Sequence, residues 1–424
     1  RAKILKKHGF AVRRKNAFAP DQVVAAHAQK RKAGAELVAV ANDFAEMSEV
    51  VFATPNFVSE FRRSALPKIP VAQWHLKNTA AVAGEKLGED VDAEGAWAIT
   101  RGKTSVVIAV LDDGVDVDHP NLRGRIWKNR NKSSPDRLGR DFFLPNDHPD
   151  HFNPRPKKFR FPFDQMEGND IHGTCCAGVI VAAGDGAFGV AFRSRVLAVK
   201  IFHADELAPD ERVADAIRYA ARHADILSCS WSGGRSPDIE LALADAGKAR
   251  GGLGAAIFCA AGNESGSPVG YPASDPNAIA VGASTDQATL AFYSNVGPEI
   301  AVVAPSSGGK RGIFTTDVSI PNRGFNIGLA AEGGADGLHT NSFGGTSSAT
   351  PLTAGVGALV LSVDPKLTRL ELRDVLTRTA DKIGGGYDAQ GHSNKFGFGR
   401  VSAEKAVTAA QAGKKSNKTV AAMA

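Results

Sequence analysis

The stretch Gly344-Gly345-Thr346-Ser347-Ser348-Ala349-Thr350-Pro351 decides how the rest of this sequence is interpreted. The glycine pair lets the backbone turn sharply, and the apolar run 351–362 that follows predicts a helix. Ser347 therefore lies where a turn meets a helix, and the positive end of the helix favours the oxyanion that a serine nucleophile generates. Most serines in this setting only cap the helix, so catalysis depends on partners elsewhere in the chain.

Two candidate partners lie upstream, one after a strand and one at the start of a helix. Residues 105–111 form a β-branched apolar run that predicts a buried parallel strand, and Asp112 follows it directly. His172 opens a run of small residues, 173–183, that predicts a helix. A serine nucleophile needs a histidine that takes its proton and a carboxylate that orients the histidine. The carboxyl ends of parallel strands are where open α/β sheets build such sites.

Asn263 is a candidate for a different role, because it follows the predicted strand 255–259 at the same edge of the sheet. Its side-chain amide can donate a hydrogen bond to a developing oxyanion. On its own it reads as a turn asparagine. Each of these four residues could have a structural role of its own. Taken together, Asn263, Asp112, His172 and Ser347 indicate one acyl-transfer site.

The order Asp, His, Asn, Ser resembles the arrangement of the subtilisin-like serine proteases. The resemblance rests on Val-Leu-Asp-Asp-Gly around Asp112, His-Gly-Thr-x-x-Ala-Gly from His172 and Gly-Thr-Ser-x-Ala-x-Pro around Ser347, and it extends over about residues 70–412. Motifs at 112–114, 230–231, 250–254 and 315–317 look like the kexin or proprotein-convertase branch, whereas 270–273 is more similar to bacterial subtilisins. The resemblance implies a triad of Asp112, His172 and Ser347, with Asp113 the poorer candidate for the carboxylate. It also implies an oxyanion hole formed by Asn263 and the backbone N–H of Ser347.

The resemblance further implies where a substrate lies. An extended peptide would pair with the strand edge at Ser230, Trp231, Ser232 and Gly233, with Gly270 nearby. Ser232 departs from the glycine that is usual in the family. Kexin-type enzymes select basic residues with acidic pocket groups, but the matching positions here fall near Arg218, Arg235 and Val269. We therefore expect an apolar or mixed first pocket, with Arg218 favouring an acidic residue further out.

Calcium is the usual structural ion of the family, and Asn121 stands where the family typically has a ligating aspartate. Because calcium needs several hard oxygen ligands and the loop 183–189 looks shorter than the usual ligand loop, a calcium site at Asn121 is only an expectation. Catalysis itself needs no metal or cofactor.

Residues 1–66 differ from the rest, being basic and predicting a small α+β domain. We expect strands at 9–12, 36–40 and 49–53 and a helix at 20–32. Such a unit resembles a subtilase prodomain, which implies a folding aid, an inhibitor of its own catalytic domain, and synthesis as a zymogen. A plain accessory domain is the alternative.

The catalytic domain is predicted to span 67–412, followed by a flexible tail at 413–424. Alternating apolar strands and helices predict an α/β fold with a three-layer, mostly parallel sheet of subtilisin type. The predicted strands are 105–111, 195–201, 225–230, 255–259, 278–283 and 299–304; the predicted helices are 172–183, 213–222, 239–249, 351–362, a capped helix from Thr368, and 403–411. Residues 122–168 are expected to form a long loop beside the cleft.

Composition, charge and cysteine content limit the classes of protein to which this chain can belong. The 424 residues are 43% hydrophobic with a formal net charge of +6, and the basic residues are spread along the chain without a nucleic-acid footprint. No apolar stretch has membrane-spanning length. The four cysteines are predicted to be buried free thiols, and Cys175 and Cys176, close to His172, suggest either thiol-sensitive activity or small apolar packing. We expect a monomer; the prodomain slightly favours secretion, and the unpaired cysteines leave the cytoplasm open.

The sequence therefore predicts a serine endopeptidase that acts on proteins or peptides and is restrained by its own prodomain. A subtilisin-fold transpeptidase or macrocyclase is the enzymatic alternative, in which an amine instead of water intercepts the acyl-enzyme. A binding protein with a silenced site is the alternative from another class.

Overall fold

The computed structural model describes residues 2–15, 23–27, 35–51, 53, 66–160, 167–184, 186–204, 206–319 and 324–423. The chain divides into two compact units, Arg1–Ala65 and Leu66–Ala424. The division falls one residue before the boundary that the sequence suggests.

The first unit pairs two strands beside two helices. It contains α1 (Ala2–Lys7), β1 (Phe10–Lys15), β2 (Val23–His27) and α2 (Ala35–Ala45). The strands are antiparallel, and the Phe10 ring of β1 lies 5.5 Å from the ring of Phe44 in α2. This contact gives the unit a small apolar centre of its own.

Three element predictions in this unit are wrong. The stretch expected as a helix over 20–32 forms strand β2 in its described part, because cross-strand pairing with β1 overrides the helix preference of its alanines. The stretch expected as a strand over 36–40 lies in helix α2, where Ala41 and Phe44 are buried with helical spacing. Residues 49–51 and 53 are turn and irregular backbone, and residue 52 lies outside the described residues.

The second unit contains the following strands and helices. Its strands are β3 (Val107–Asp112), β4 (Gly139–Asp141), β5 (Lys158–Arg160), β6 (Glu167–Asn169), β7 (Arg195–Lys200), β8 (Phe202–His203), β9 (Glu206–Leu207), β10 (Ile226–Cys229), β11 (Ala256–Ala260), β12 (Ala278–Ser284), β13 (Ile300–Pro305), β14 (Ile313–Thr316) and β15 (His339–Phe343). Its helices are α3 (Ala93–Ile99), α4 (His172–Val181), α5 (Asp210–His223), α6 (Pro237–Ala246), α7 (Gly345–Val363), α8 (Arg369–Arg378) and α9 (Ala403–Met423).

A parallel sheet in the order β13-β12-β11-β10-β3-β7-β4 forms the centre of this unit. The predicted α/β fold is confirmed. The six long strands appear where the sequence predicts them, within a few residues at each end. The region 122–168 is not only a loop, because it supplies edge strand β4, strand β5 and the first two residues of its antiparallel partner β6. Three-residue strands carry too little pattern to be recognised in a sequence rich in Asp, Asn and Pro.

Side chains of β3 show how the sheet separates two apolar layers. Ile108 and Val110 pack into the core that contains α4 and α7, whereas Ala109 and Leu111 pack into the core that contains α5 and α6. Both layers are needed because a parallel sheet buries both of its faces. The result is the predicted three-layer arrangement.

Helices α7 and α9 are longer than the sequence predicts. Helix α7 begins at Gly345, six residues before Pro351, and so includes Ser347 in its first turn. Helix α9 continues to Met423, through residues 413–423 that were expected to form a flexible tail. Among the described helices, α7 alone is long and apolar enough to cross a membrane, but 89% of it is buried inside the protein, as in a core helix.

Helix α4 packs against β14 through a glycine and two threonines. Thr315 and Thr316 of β14 donate hydrogen bonds of 2.9 Å to the carbonyls of Cys175 and Thr174. A Cβ at Gly178 would lie 2.1 Å from the Thr316 hydroxyl oxygen. The glycine is therefore what lets the helix that carries His172 lie this close to β14.

We predict that Gly178→Ala lowers the free energy of unfolding by about 1–3 kcal/mol, because the added methyl group overpacks this contact. Urea denaturation followed by circular dichroism measures the change. Gly124→Ala is the matched control, since a Cβ there meets nothing within 4 Å, and it should change stability by less than about 0.5 kcal/mol. Equal transition midpoints for the two variants would contradict this role of Gly178.

Candidate active site

The carboxyl ends of three neighbouring strands bring the predicted residues together. Strands β3, β10 and β11 lie side by side, and they end immediately before or close to Asp113, Ser230 and Asn263. Because the strands are parallel, these ends share one edge of the sheet. Helices α4 and α7 begin at the same edge, and their first turns carry His172 and Ser347.

Asp112 and His172 form the central contact of the site. The Nδ1 atom of His172 lies 2.8 Å from Oδ1 of Asp112, and this carboxylate oxygen also accepts the N–H of Asp113 at 2.9 Å. Asp112 is buried, while the His172 side chain is 31% exposed. The hydrogen bond places the proton on Nδ1 and leaves Nε2 as an acceptor, the tautomer that a general base requires.

Asp113 holds the backbone of the same histidine. Its carboxylate accepts the N–H groups of Ile171, His172 and Gly173 at 2.7–2.9 Å. These N–H groups lie at the start of α4, where the helix itself offers them no carbonyl partner. The residue at the cap position, Ile171, makes no side-chain hydrogen bond to them. Burial, and then the neighbouring Asp112, raise the pKa of Asp113 to about 7. Asp112 therefore holds the imidazole ring, and Asp113 holds the helix start that carries it.

A buried lysine lies beneath this pair of aspartates. Lys200 is fully buried at the end of β7, and its Nζ atom lies 2.5 Å from the Asp113 carbonyl, the Phe202 carbonyl and the Asp170 carboxylate. A buried charge persists only when it is paired and hydrogen-bonded. Asp170 stands two residues before His172, so this ion pair joins the end of β3 to the chain just ahead of the histidine.

Ser347 lies half-buried in the first turn of α7, and its hydroxyl donates to the carbonyl of Ser230 at 3.3 Å. The Ser230 hydroxyl in turn donates to the Ser347 carbonyl at 3.0 Å. Both Ser347 and His172 are described, and no hydrogen bond joins their side chains in this structure. The serine is thus at the same edge as the histidine, with its hydroxyl turned towards β10.

Asn263 presents a free amide at the start of α7. Its Oδ1 atom accepts the backbone N–H of Thr346 at 2.8 Å and the Thr346 hydroxyl at 3.0 Å. These two donors fix which end of the side chain is the oxygen. The NH2 group makes no hydrogen bond among the described residues, and Asn263 is exposed, so its donors are available to a ligand.

Cys176 touches the site from inside α4. Its Sγ atom lies 3.6 Å from Oδ2 of Asp112 and 3.8 Å from Nδ1 of His172. Burial raises the pKa of this thiol to about 11, so it is uncharged at neutral pH. All four cysteines are free and buried, as predicted.

The electrostatics of His172 depend on its carboxylate partner. Burial is the largest single influence and works against a charged imidazole, but the charge and the hydrogen bond of Asp112, together with the contact of Cys176, raise the pKa of His172 well above the usual value. The neutral Cys176 thiol adds little to this at neutral pH. The pairing therefore makes the histidine a stronger base than a solvated imidazole.

The predicted substrate edge is only partly open. Ser232 and Gly233 are exposed, and Gly233 pairs with Tyr271 through an N–H···O bond of 2.8 Å. Gly270 faces Ser232, since a Cβ built on Gly270 would lie 3.4 Å from the Ser232 Cβ. Trp231 is different: its side chain is buried in the core beside Phe202. Only its backbone is left to contact a substrate.

The three residues that the sequence relates to substrate specificity have different surroundings in the structure. Arg235 lies over the Tyr271 ring at 5.6 Å, close to the Gly233 pairing, and Val269 is buried in the core. Arg218 instead belongs to α5, where its Nε lies 3.1 Å from the Asp245 carboxylate of α6. The expectation that Arg218 favours an acidic substrate residue is therefore not supported, because its charge is already paired on this helix surface.

Comparison with known proteins decides the family. The subtilase family model matches residues 103–399. The chain belongs to the subtilase family.

Two relatives of the chain are named Calcium-dependent protease. The chain is 37% identical to that of Trichormus variabilis over 389 residues, which cover 83% of this chain and 53% of the relative. It is 35% identical to that of Nostoc sp. over 440 residues, covering 95% of this chain and 60% of the relative. The subtilase described here thus spans little more than half of the length of these two relatives.

A solved structure supports the fold alone. The serine protease of Aeromonas sobria, solved in complex with a chaperone, has a TM-score of 0.66 and 21% identity, covering 80% of this chain and 66% of that one. Its architecture agrees with the three layers found in this subtilase.

Asn121 does not offer a free ligand for calcium. Its side-chain oxygen lies 3.0 Å from Nε2 of His339. Among the described residues, the group of His, Cys, Asp and Glu side chains close enough to share a metal ion is Asp112, His172 and Cys176, and two of its members belong to the candidate triad. The side chain of Asn121, the predicted metal ligand, is therefore already hydrogen-bonded to the His339 ring.

A surface cleft of about 340 Å³ contains a second candidate position for a cation. Asp275 and Glu299 line it, and the buried Oδ2 atom of Asp275 has no hydrogen-bond partner among the described residues. A buried carboxylate oxygen without a partner is costly, and hard oxygen donors are what calcium requires. Arg369 and Arg373 also line the cleft, so a cation there must lie closest to the carboxylates.

Sequence reasoning missed Asp113, Lys200 and Thr346 as residues that position the site. Asp113 was considered only as a rival for Asp112, although an aspartate ahead of a helix start can cap it from another element. A lysine within an apolar strand was the available signal for Lys200, because lysine is almost never buried without a partner. The contact of Thr346 with Asn263 joins two distant segments, and no local pattern in the sequence indicates it.

We predict that Asp112→Asn lowers the pKa of His172, because the carboxylate that favours the imidazolium is lost. NMR titration of the histidine ring, in a Ser347→Ala background that prevents self-digestion, measures the change. Cys176→Ala is the control and should leave the pKa raised, since the thiol is uncharged in this range. If Cys176→Ala lowered the pKa and Asp112→Asn did not, the assignment of the cause would be wrong.

Proposed function

We propose that this subtilase hydrolyses peptide bonds as a serine endopeptidase. The observation that carries the proposal is the 2.8 Å hydrogen bond between Asp112 and His172, at the same sheet edge as Ser347 and the free amide of Asn263. The intact set of Asp112, His172, Asn263 and Ser347 argues against a silenced binding protein. A transpeptidase would use the same set, and the mass of its products, cyclic or linear, separates it from a hydrolase.

Ser347 is the nucleophile and His172 the general base in this proposal. The Ser347 hydroxyl turns from the Ser230 carbonyl to Nε2 of His172, gives up its proton and attacks the peptide carbonyl. His172 then donates the proton to the leaving amine, and Asp112 stabilises the imidazolium in between. A second cycle with water releases the acyl group. Since the base must be unprotonated, activity should rise with pH through the raised pKa of His172.

Asn263 and the Ser347 backbone N–H stabilise the oxyanion. The amide oxygen of Asn263 is held by Thr346, so its NH2 group is oriented before the reaction. Such preorganised donors cost no rearrangement in the transition state, and one of them typically contributes about 3–4 kcal/mol.

The substrate proposed here is an extended polypeptide that pairs with the edge at Ser232 and Gly233. Gly270 leaves room beside Ser232 for a side chain. Arg235 stands over Tyr271 near this edge, and a cation there disfavours basic substrate residues. We therefore propose selection of apolar or mixed residues and not of dibasic sites.

Residues 1–66 are proposed to act as a prodomain. The support for this proposal is that residues 1–65 form a compact unit of their own, which precedes the second unit in the sequence. Inhibition of the cleft and synthesis as a zymogen belong to this proposal, and secretion stays a prediction. The junction expected at residues 63–72 begins outside the described residues.

We predict that purified parent protein is cut near residues 63–72 and hydrolyses unfolded protein substrates, whereas Ser347→Ala does neither. Intact-mass spectrometry and release of peptides from casein measure the two effects. The matched control is Ser342→Ala, an exposed serine of β15, which should behave as the parent. Equal hydrolysis by parent and Ser347→Ala would refute the proposed nucleophile. An uncut but hydrolytic parent would refute only self-processing.

We also propose that calcium stabilises this subtilase, with Asp275 and Glu299 as ligands. When bound, the ion would supply charge compensation for a buried carboxylate and no step of the reaction. We predict that EGTA lowers the melting temperature of the parent, and that Asp275→Asn removes most of this sensitivity. Asn121→Ala is the control and should keep it. A melting temperature unaffected by EGTA in the parent would contradict a calcium site.

A further inference from the structure

Three apolar side chains stand exposed in a short segment that reaches towards His172 through Phe343. They belong to the segment between β14 and β15, and we call them the apolar ridge: Phe325, Ile327 and Leu329, which are 37%, 56% and 49% exposed. Isolated exposed apolar residues are ordinary, but a cluster within five residues is a feature of binding surfaces.

The backbone beneath the ridge is held rigidly. Asn326 is buried; its NH2 group donates to the carbonyls of Gly334 and His339 at 2.8 Å, and its Oδ1 atom accepts the N–H groups of Gly328 and Leu329 at 2.8–2.9 Å. Its own N–H bonds to the buried Asp317 carboxylate at 2.7 Å. With Asn326 directed inwards, its apolar neighbours are fixed outwards. Binding to such a surface needs little ordering of the protein.

The ridge is continuous with the active site through two aromatic contacts. The Phe325 ring lies 6.0 Å from the ring of Phe343, and the Phe343 ring lies 5.4 Å from that of His172 in an edge-on arrangement. Phe343 ends β15, four residues before Ser347. A chain leaving the catalytic histidine on this side therefore meets the ridge.

The geometry also indicates which part of a substrate passes there. The Ser347 hydroxyl lies against the Ser230 carbonyl at the β10 edge, whereas Phe343, four residues before Ser347, lies against His172. The acyl part of the peptide pairs with the β10 edge, and His172 gives its proton to the leaving amine. The residues that follow the cut bond thus leave on the side of His172.

We propose that the apolar ridge binds the residues after the cut bond and selects apolar side chains there. This inference rests on the proposed peptidase function and names its substrate class: polypeptides that are apolar on the leaving-group side. The charge of the segment between β14 and β15 agrees, since residues 317–338 contain three acidic residues, Asp317, Glu332 and Asp336, and one basic residue, Arg323. Acidic residues after the cut are disfavoured for the same reason.

The test compares three peptides that are identical before the cut and carry Leu-Phe, Ser-Ser or Glu-Glu at the second and third positions after it. An ester with the same acyl part and a methanol leaving group reports on the catalytic site alone. For the parent we expect kcat/KM in the order Leu-Phe, Ser-Ser, Glu-Glu. In the triple variant Phe325→Ser, Ile327→Ser and Leu329→Ser, kcat/KM for the Leu-Phe peptide should fall about tenfold or more. Its ester hydrolysis should stay within twofold of the parent.

Controls make the outcome decisive. Leu241→Ser removes an equally exposed leucine from α6 and should leave the preference intact, and Ile327→Ser alone tests the idea if the triple variant fails to fold. Equal rates of the parent on the three peptides, or equal losses on ester and peptide in the variants, would overturn the proposal while leaving the peptidase function standing. A parent inactive on the ester and on all three peptides would overturn the proposed function itself, and the ridge proposal with it.

Discussion

Two consecutive carboxylates at the end of β3 determine the geometry of the candidate active site. Asp112 holds the ring of His172, and Asp113 holds the backbone N–H groups of the helix turn from which that ring projects. A histidine held only through its ring could swing with the helix start, and one held only through its backbone could take either tautomer. With both contacts the ring is placed before any substrate arrives, which is the condition for efficient proton transfer.

The same arrangement creates an electrostatic problem that a buried lysine resolves. Asp112, Asp113 and Asp170 bring three carboxyl groups to a dry region of the protein. Lys200 counters them from the neighbouring strand, paired in register with Asp112. Removing one partner of such a buried pair typically costs about 3–5 kcal/mol. The stability of this subtilase and the placement of the proposed base, His172, therefore depend on the same few charges.

The sequence predicted the parts of the fold that repeat a long pattern and missed those that depend on distant partners. The apolar runs of β3, β7 and β12 are long enough to be recognised, and so is the capped helix α8, whose Thr368 and Glu371 bond as the sequence indicates. The segment that forms strand β2 was predicted to be a helix, and the segment that forms helix α2 was predicted to be a strand. Alanines favour a helix and valines a strand until pairing or packing decides otherwise. In the site, side chain types next to glycine turns indicated Asp112, His172 and Ser347. The burial of Trp231, the pairing of Arg218 and the bond of Asn121 to His339 arise from segments far apart in the chain, and no local pattern contains them.

The most direct test of the account is covalent labelling with a fluorophosphonate probe, because only an activated serine reacts with it quickly. Tandem mass spectrometry identifies the labelled residue. The account predicts one adduct, on Ser347, with a rate that falls by about a hundredfold or more in His172→Ala. An adduct on another residue, or an unchanged labelling rate in His172→Ala, would contradict it.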